Sequence, residues 1–199
     1  MTTPAAQPIS IRDSRDDDLG AIQAIYAHHV RHGGGSFELE PPDLVEMMRR
    51  RADVLRNGFP YLVATRAAGA AGPDDARAGQ GGSEQVLGYA YANFFRLRPA
   101  YRFTCENSIY IAPEAQHNGV GKRLLGELVA RCEAAGLRQM VAVIGDSRNT
   151  GSIGLHAACG FRFAGVLRAT GWKFDRWLDT VMMQRDLGPG DREPATPGR

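Results

Sequence analysis

The chain has 199 residues, 43% of them hydrophobic and 23% charged, with 24 Lys+Arg against 22 Asp+Glu. That length lets one domain bury a core without help from metal or disulfide, and a formal net charge of +2 supplies no broad positive field for nucleic acid or anionic membrane. Cys105, Cys132 and Cys159 form no Cys-x-x-Cys pair, and their odd count argues against a disulfide framework, so a cytoplasmic protein is expected. The start of the chain has neither a basic flank nor an apolar run, and no segment approaches the roughly 20 apolar residues of a membrane span. A single domain over 9–187 is expected, with 1–8 and 188–199 as disordered tails.

In chain order, Ile9 to Arg12 reads as a short strand, and Ser14 followed by Asp17 as a capping box opening a helix. Leu19, Ile22, Ile25, Tyr26 and Val30 recur at helical spacing until Gly33-Gly34-Gly35 breaks the run. Pro41 and Pro42 introduce a second helix carrying Leu44, Met47, Met48, Arg51, Val54 and Leu55 on related faces, with Gly58 as its stop. Tyr61 to Thr65 and Val86 to Phe95 are rich in β-branched, aromatic and small apolar residues, as strands are. Between them Arg66 to Gln85 is Gly/Ala/Asp-rich and lacks aromatic residues, the composition of a flexible hairpin insertion.

Cys105 to Ile111 is the next strand, and Gly119 to Ala135 a helix with Val120, Leu124, Leu125, Leu128, Val129 and Cys132 on its apolar face and Gly136 as its stop. Met140 to Ile144 is almost uniformly apolar, the pattern of a strand buried on both faces. A short helix from Ser152 to Ala158 and closing strands over Phe161 to Leu167 and Thr180 to Arg185 follow. This order describes an α/β or α+β sandwich around a mixed central β-sheet flanked by helices.

The segment from Ser108 to Lys122 carries the most chemical information. A buried strand runs through a Gly-containing turn into an amphipathic helix, so the unpaired N–H groups of the first helical turn converge on one space. No acidic side chain from Gln116 to Lys122 opposes the positive helix end, and Gly119 and Gly121 permit close backbone approach by a pyrophosphate. A dinucleotide fingerprint would need a third glycine, which Gly119-Val120-Gly121-Lys122-Arg123-Leu124 lacks. An ordinary helix start with two convenient glycines is the alternative.

Gln116, Gly119 and Gly121 match the pattern Gln/Arg-x-x-Gly-x-Gly/Ala, which resembles the acetyl-CoA signature of the GNAT acetyltransferases. Downstream, the run from Asn149 to Phe161 resembles that family's second motif, with His156 where most members have tyrosine. Val141 to Gly145, Leu167 to Phe174, Trp177 and Asp179, and upstream Ser36, Phe37, Arg98, Tyr101 and Thr104 to Ile111, are similar to the phosphinothricin acetyltransferases within it. Arg102 and Phe103 depart from that subfamily's acidic residue and tryptophan, beside the presumed acceptor site.

The resemblance implies the GNAT fold, with two splayed central strands that hold the pantetheine of CoA, and a homodimer acting on a small-molecule amine. It implies acetyl-CoA as co-substrate, held by Ile109, Tyr110, Ile111, Gln116, His117, Asn118, Gly119, Val120, Gly121, Lys122 and Asn149. It assigns Glu106 as general base for the acceptor ammonium, through water. A carboxylate buried in that strand would also have its pKa raised toward a useful range. His156 is either an acid to the departing thiolate, a partner of Glu106, or a core histidine satisfied by one backbone bond. Phe37, Arg98 and Tyr101 are candidates for binding the acceptor, Arg98 through its guanidinium. His28 and His32 stand four apart without a carboxylate third ligand in register, so no metal site is expected. The acceptor class implied is a small amino acid or analogue such as phosphinothricin, methionine sulfoximine or methionine sulfone. Acetylation of a protein N-terminus or lysine, and a non-catalytic acyl-CoA-binding module, are the alternatives.

Overall fold

The computed structural model describes residues 8–67 and 84–195. Its elements run β1 (Ile9–Asp13), α1 (Leu19–His32), α2 (Leu44–Arg56), β2 (Tyr61–Ala67), β3 (Glu84–Phe94), β4 (Thr104–Ile111), α3 (Val120–Ala134), β5 (Gln139–Gly145), α4 (Thr150–Ala158), β6 (Arg162–Lys173) and β7 (Arg176–Asp186). The strands form one mixed sheet in the order β1-β2-β3-β4-β5-β7-β6. Among the described strands only β4 and β5 run parallel, which requires the crossover through α3.

Helices lie against both faces of β4. Tyr26 of α1 meets Tyr110 edge-on with ring centroids 4.9 Å apart. On the other face, His156 of α4 bonds Asn107. The helix α3 buries Val120, Leu124, Leu125, Leu128, Val129 and Cys132, the six residues its periodicity singled out. Together with Leu62, Val63, Leu87, Tyr89 and Met140 they belong to one continuous core.

One irregularity in the sheet organises the site. The β4–β5 ladder holds from Thr104↔Gln139 to Asn107↔Ala142 and then stops, although β4 stays paired with β3 as far as Ile111↔Gly88 and β5 with β7 as far as Gly145↔Thr180. Beyond Asn107 the two central strands therefore part, as the resemblance implied. Val143, expected to be buried, is 37% exposed at the opening.

Several local expectations are corrected. The cap at the first helix is one residue later than expected: Asp18 accepts from the Arg15 N–H at 2.6 Å, while the Ser14 hydroxyl accepts from Arg51 Nε at 2.7 Å. Asp43, not the proline pair, caps α2 by accepting from the Glu46 N–H at 2.8 Å, and of that helix only Met47 and Val54 are buried. The strands β2 and β3 continue into the expected insertion, pairing Arg66↔Gln85 and Ala67↔Glu84; the rest of that insertion lies outside the described residues. In the expected tail, the Gly190 N–H donates to Leu187 and the Arg192 N–H to Pro189, forming turns.

The largest miss is the β6–β7 hairpin, which extends to Lys173↔Arg176. Its two turn residues, Phe174 and Asp175, have φ of 54° and 53°. Such turns favour Asn-Gly, so Phe-Asp gave no signal. An L-residue in this conformation costs about 1–2 kcal/mol. Asp175→Gly is accordingly expected to raise stability by about 1 kcal/mol and Tm by roughly 2–4 °C, and an unchanged or lowered melting temperature would refute the strain.

Candidate active site

A cleft of about 640 Å³ opens where β4 and β5 separate. Ile109, Tyr110, Ile111, Gln116, His117, Gly119, Gly121, Lys122 and Asn149 line it, as expected. Asn118 and Val120 do not line it, and the Val120 side chain is buried in the core, leaving only its backbone N–H for a ligand. His29, the Gly33–Gly35 tract, Asn107, Arg148, Leu155 and Arg176 also line the cleft. The sequence reading missed them, because the glycines were taken only as a helix stop and Arg176 belongs to the unrecognised hairpin.

The two motif glycines act differently. Gly119 is the N-cap of α3 at φ 76°, and a Cβ there would meet nothing within 4 Å, so the backbone conformation is the requirement. At Gly121 a Cβ would stand 3.1 Å from the Leu155 side chain and 3.7 Å from Ile111. Its smallness therefore serves the packing of α3 on α4 as well as access to the cleft. The first turn of α3 carries no acidic residue, and its N–H groups have no intrahelical partners. That is a site for phosphate oxygens. Asn149 caps α4, accepting from the Ser152 N–H at 3.2 Å and donating to the Gly145 carbonyl at 3.4 Å.

His156 is buried, with Nδ1 2.8 Å from the Ser152 carbonyl oxygen and Nε2 3.0 Å from Asn107 Oδ1. Asn107 Nδ2 donates in turn to the Val141 carbonyl at 3.2 Å. Nδ1 also lies 3.4 Å from the Ser152 hydroxyl, so a neutral ring that donates from Nε2 to Asn107 and accepts from that hydroxyl is satisfied without a positive charge. Burial opposes that charge and holds the pKa below 6.5, with the Ser152 carbonyl acting the other way. His156 does not meet Glu106, since neighbouring residues of a strand point to opposite faces.

Glu106 points to the α1/α2 side, opposite Asn93. Burial pushes its carboxyl above the ordinary 4.5, and the positive charge of Arg96 pulls the other way. Arg98 and Tyr101 lie on an exposed 3₁₀ turn before β4, Tyr101 edge-on to Phe95 at 5.6 Å. Neither lines the cleft.

Phe37 does not line the cleft; its ring packs over two glycines, one of them the cleft residue Gly145. Its ring lies 3.0 Å from where a Cβ would stand on Gly145 and 2.5 Å from that position on Gly171. The Gly33–Ser36 loop that delivers it is held by Lys173, a buried side chain whose Nζ donates to the Ser36 carbonyl at 2.7 Å and the Gly33 carbonyl at 3.3 Å. Tyr26 and Ser36 bond through their hydroxyls at 3.0 Å. His29 donates from Nε2 to the Ile111 carbonyl at 2.8 Å, tying α1 to the end of β4. His28 and His32 stack at 4.8 Å, and among the described residues no group of three or more His, Cys, Asp or Glu is placed to hold a metal.

Comparison with known proteins agrees with this geometry. Residues 61–161 match the acetyltransferase (GNAT) family. A phosphinothricin N-acetyltransferase of Alcaligenes faecalis is 56% identical over 182 residues, covering 92% of this chain and 84% of that protein. An L-methionine sulfoximine/L-methionine sulfone acetyltransferase of Pseudomonas aeruginosa is 37% identical, covering 93% of this chain and 98% of that protein. The crystal structure of a phosphinothricin acetyltransferase from Sinorhizobium meliloti, solved in complex with AcCoA, superposes with a TM-score of 0.83 at 45% identity, covering 96% of this chain and 94% of that one.

The glycine geometry gives a direct check. Gly121→Glu places a carboxylate at the positive end of α3 and against Leu155, and is expected to abolish acetyl-CoA binding in calorimetry. Gly121→Ala, which tests the packing contact alone, should lose no more than about tenfold in affinity. Unchanged affinity in the glutamate variant would remove this turn from the binding site.

Proposed function

The chain belongs to the acetyltransferase (GNAT) family, and from that premise we propose that it transfers the acetyl group of acetyl-CoA to the α-amine of a small amino acid or amino-acid analogue. The observation that carries this reading is the pairing of a cleft opened between β4 and β5 with a half-buried carboxylate, Glu106, on the same strand. The relatives named for phosphinothricin and for methionine sulfoximine or sulfone support the acceptor class.

In this reading the pyrophosphate of CoA rests on the first turn of α3, through the N–H groups at Gly119 to Lys122. The pantetheine lies between β4 and β5, where the β5-facing backbone groups of Ser108 to Ile111 have no ladder partner. The acceptor arrives as an ammonium, which has no lone pair. Glu106 takes one proton from it through water, and the free amine then attacks the thioester carbonyl. The C–N bond forms and a β4 backbone N–H stabilises the oxyanion; as the C–S bond breaks, the second proton of the attacking nitrogen passes to the departing thiolate, so the neutral amide and CoA thiol are released. Because both nitrogens of His156 are engaged, we assign it to positioning, through Asn107, of the strand that carries this backbone. Phe37 walls the acceptor pocket, and Arg98 and Tyr101 approach it from the turn before β4.

We assign the exposed face of β6–β7 to a homodimer contact. Trp172 and Trp177 pair across the hairpin at 5.3 Å and are 54% and 62% exposed, with Phe163 and Leu167 exposed on the same two-stranded unit. The three buried free thiols support a cytoplasmic location. No described helix is long and apolar enough to cross a membrane.

The test is an amine panel following CoA release, then a pH–rate profile. Wild type should turn over methionine sulfoximine, methionine sulfone or phosphinothricin; turnover confined to peptide N-termini or lysine would overturn the acceptor class. Glu106 acts only when deprotonated, so kcat/KM should fall as pH drops through a group titrating above 4.5. Glu106→Gln should remove that limb and lower kcat by roughly 10²-fold or more, with acetyl-CoA affinity nearly unchanged. A glutamine variant with wild-type kcat at neutral pH would take Glu106 out of the mechanism.

A further inference from the structure

A second cavity, of about 170 Å³, lies on the α1/α2 side of the sheet between α2 and the β2–β3 hairpin. Its walls include Tyr61, Tyr89 and Tyr91, and its polar groups include Arg50, Asp53 and Asn93. The tyrosines form a layer: Tyr61 stacks on Tyr91 with centroids 5.0 Å apart, and Tyr89 on Tyr110 at 5.3 Å. The cavity is apolar on its flanks and polar at one end.

Two nitrogen donors at that end have no partner among the described residues. Both Asp53 oxygens are taken, by Arg49 and Arg56 at 2.9 Å each. Asn93 Oδ1 accepts from the Phe94 N–H at 2.8 Å, leaving Nδ2 without a partner among the described residues. Arg50 spends Nε on Glu46 at 2.7 Å and Nη1 on Glu38 at 2.6 Å, leaving Nη2 without one. Two nitrogen donors in a tyrosine-walled hollow match a small head bearing oxygen acceptors.

The cavity is in reach of the chemistry. Asn93 stands directly across the ladder from Glu106 and Tyr91 across from Ser108, which puts the Asn93 and Glu106 Cβ atoms about 5 Å apart on one face. A compact amino acid with its amine at Glu106 can therefore extend its side chain into this hollow. Resting on the proposed acetyl transfer, we propose that the cavity is the acceptor side-chain subsite. Asn93 and Arg50 there select an oxo-bearing head, such as sulfone, sulfoximine or phosphinate, over an unoxidised thioether.

The subsite predicts selectivity, not merely activity. kcat/KM is to be measured with methionine sulfone and with methionine, for wild type, Asn93→Leu and Arg50→Gln. Asn93→Leu removes the donor at similar volume, and Arg50→Gln gives a second reading should the first variant fail to fold. Each should lower kcat/KM for the sulfone about tenfold, chiefly through KM. Methionine should change less than threefold and the acetyl-CoA KM should not move. A parallel loss with both amino acids, or no loss with either, overturns the subsite while leaving acetyl transfer standing. Wild-type turnover of neither amino acid, and of neither phosphinothricin nor methionine sulfoximine in the same assay, removes the proposed acceptor class and the subsite with it.

Discussion

β4 and β5 hold one another for four residue pairs, Thr104↔Gln139 to Asn107↔Ala142, and then part. Backbone groups facing a gap in a sheet are costly unless something bonds them. The break is therefore stable only if its last rung is secured and its open groups find a partner. Asn107 secures the rung by donating across it to Val141, and His156 holds the Asn107 carboxamide from the other side. The open groups beyond can bond an extended ligand as a strand would, and we propose that the pantetheine of acetyl-CoA does so.

The alternation of β4 distributes the two halves of the reaction. Its odd-numbered residues face α3 and α4, where Asn107 meets His156 and Ile111 approaches Gly121. Its even-numbered residues face α1 and α2, where Glu106 opposes Asn93 and Tyr110 meets Tyr26. In the mechanism we propose, one strand thus presents the Glu106 carboxylate to the acceptor side while Asn107 secures the cofactor side. A one-residue slip would exchange them, and the β3–β4 register from Cys105 to Ile111 prevents it.

The parts of this arrangement carried by local chemistry were legible in the sequence. The apolar face of α3 and the glycine-spaced start of that helix follow from periodicity and turn chemistry. The parts that depend on distant partners were not. Nothing near Ser14 shows that its hydroxyl is taken by Arg51, which moves the cap to Asp18. Nothing in Phe174-Asp175 announces a turn with two positive φ angles. Arg96 and Arg98 are equivalent by spacing, and only the fold brings the charge of Arg96 to bear on Glu106. Asn93 and Arg50 looked like an ordinary strand polar residue and an ordinary helix surface residue until α2 was laid over the tyrosine layer.

The loop joining the two sides shows the same dependence in its sharpest form. Gly33 to Ser36 has no regular ladder to bond its backbone. Two of its carbonyls instead accept from the ammonium of Lys173, a residue of the far hairpin that is only 4% exposed. Burial lowers the pKa of that lysine, and the charge of Glu38 raises it. An ammonium out of water is tolerated only where oxygens replace its hydration, so the loop and the lysine stabilise one another. Once the loop is seated, a Cβ on Gly145 would overlap the Gly34 carbonyl oxygen, and Gly171 leaves room only for the Phe37 ring. Phe37, which we propose as the acceptor wall, is thus positioned by β5 and β6 together, and β5 also forms one side of the cleft.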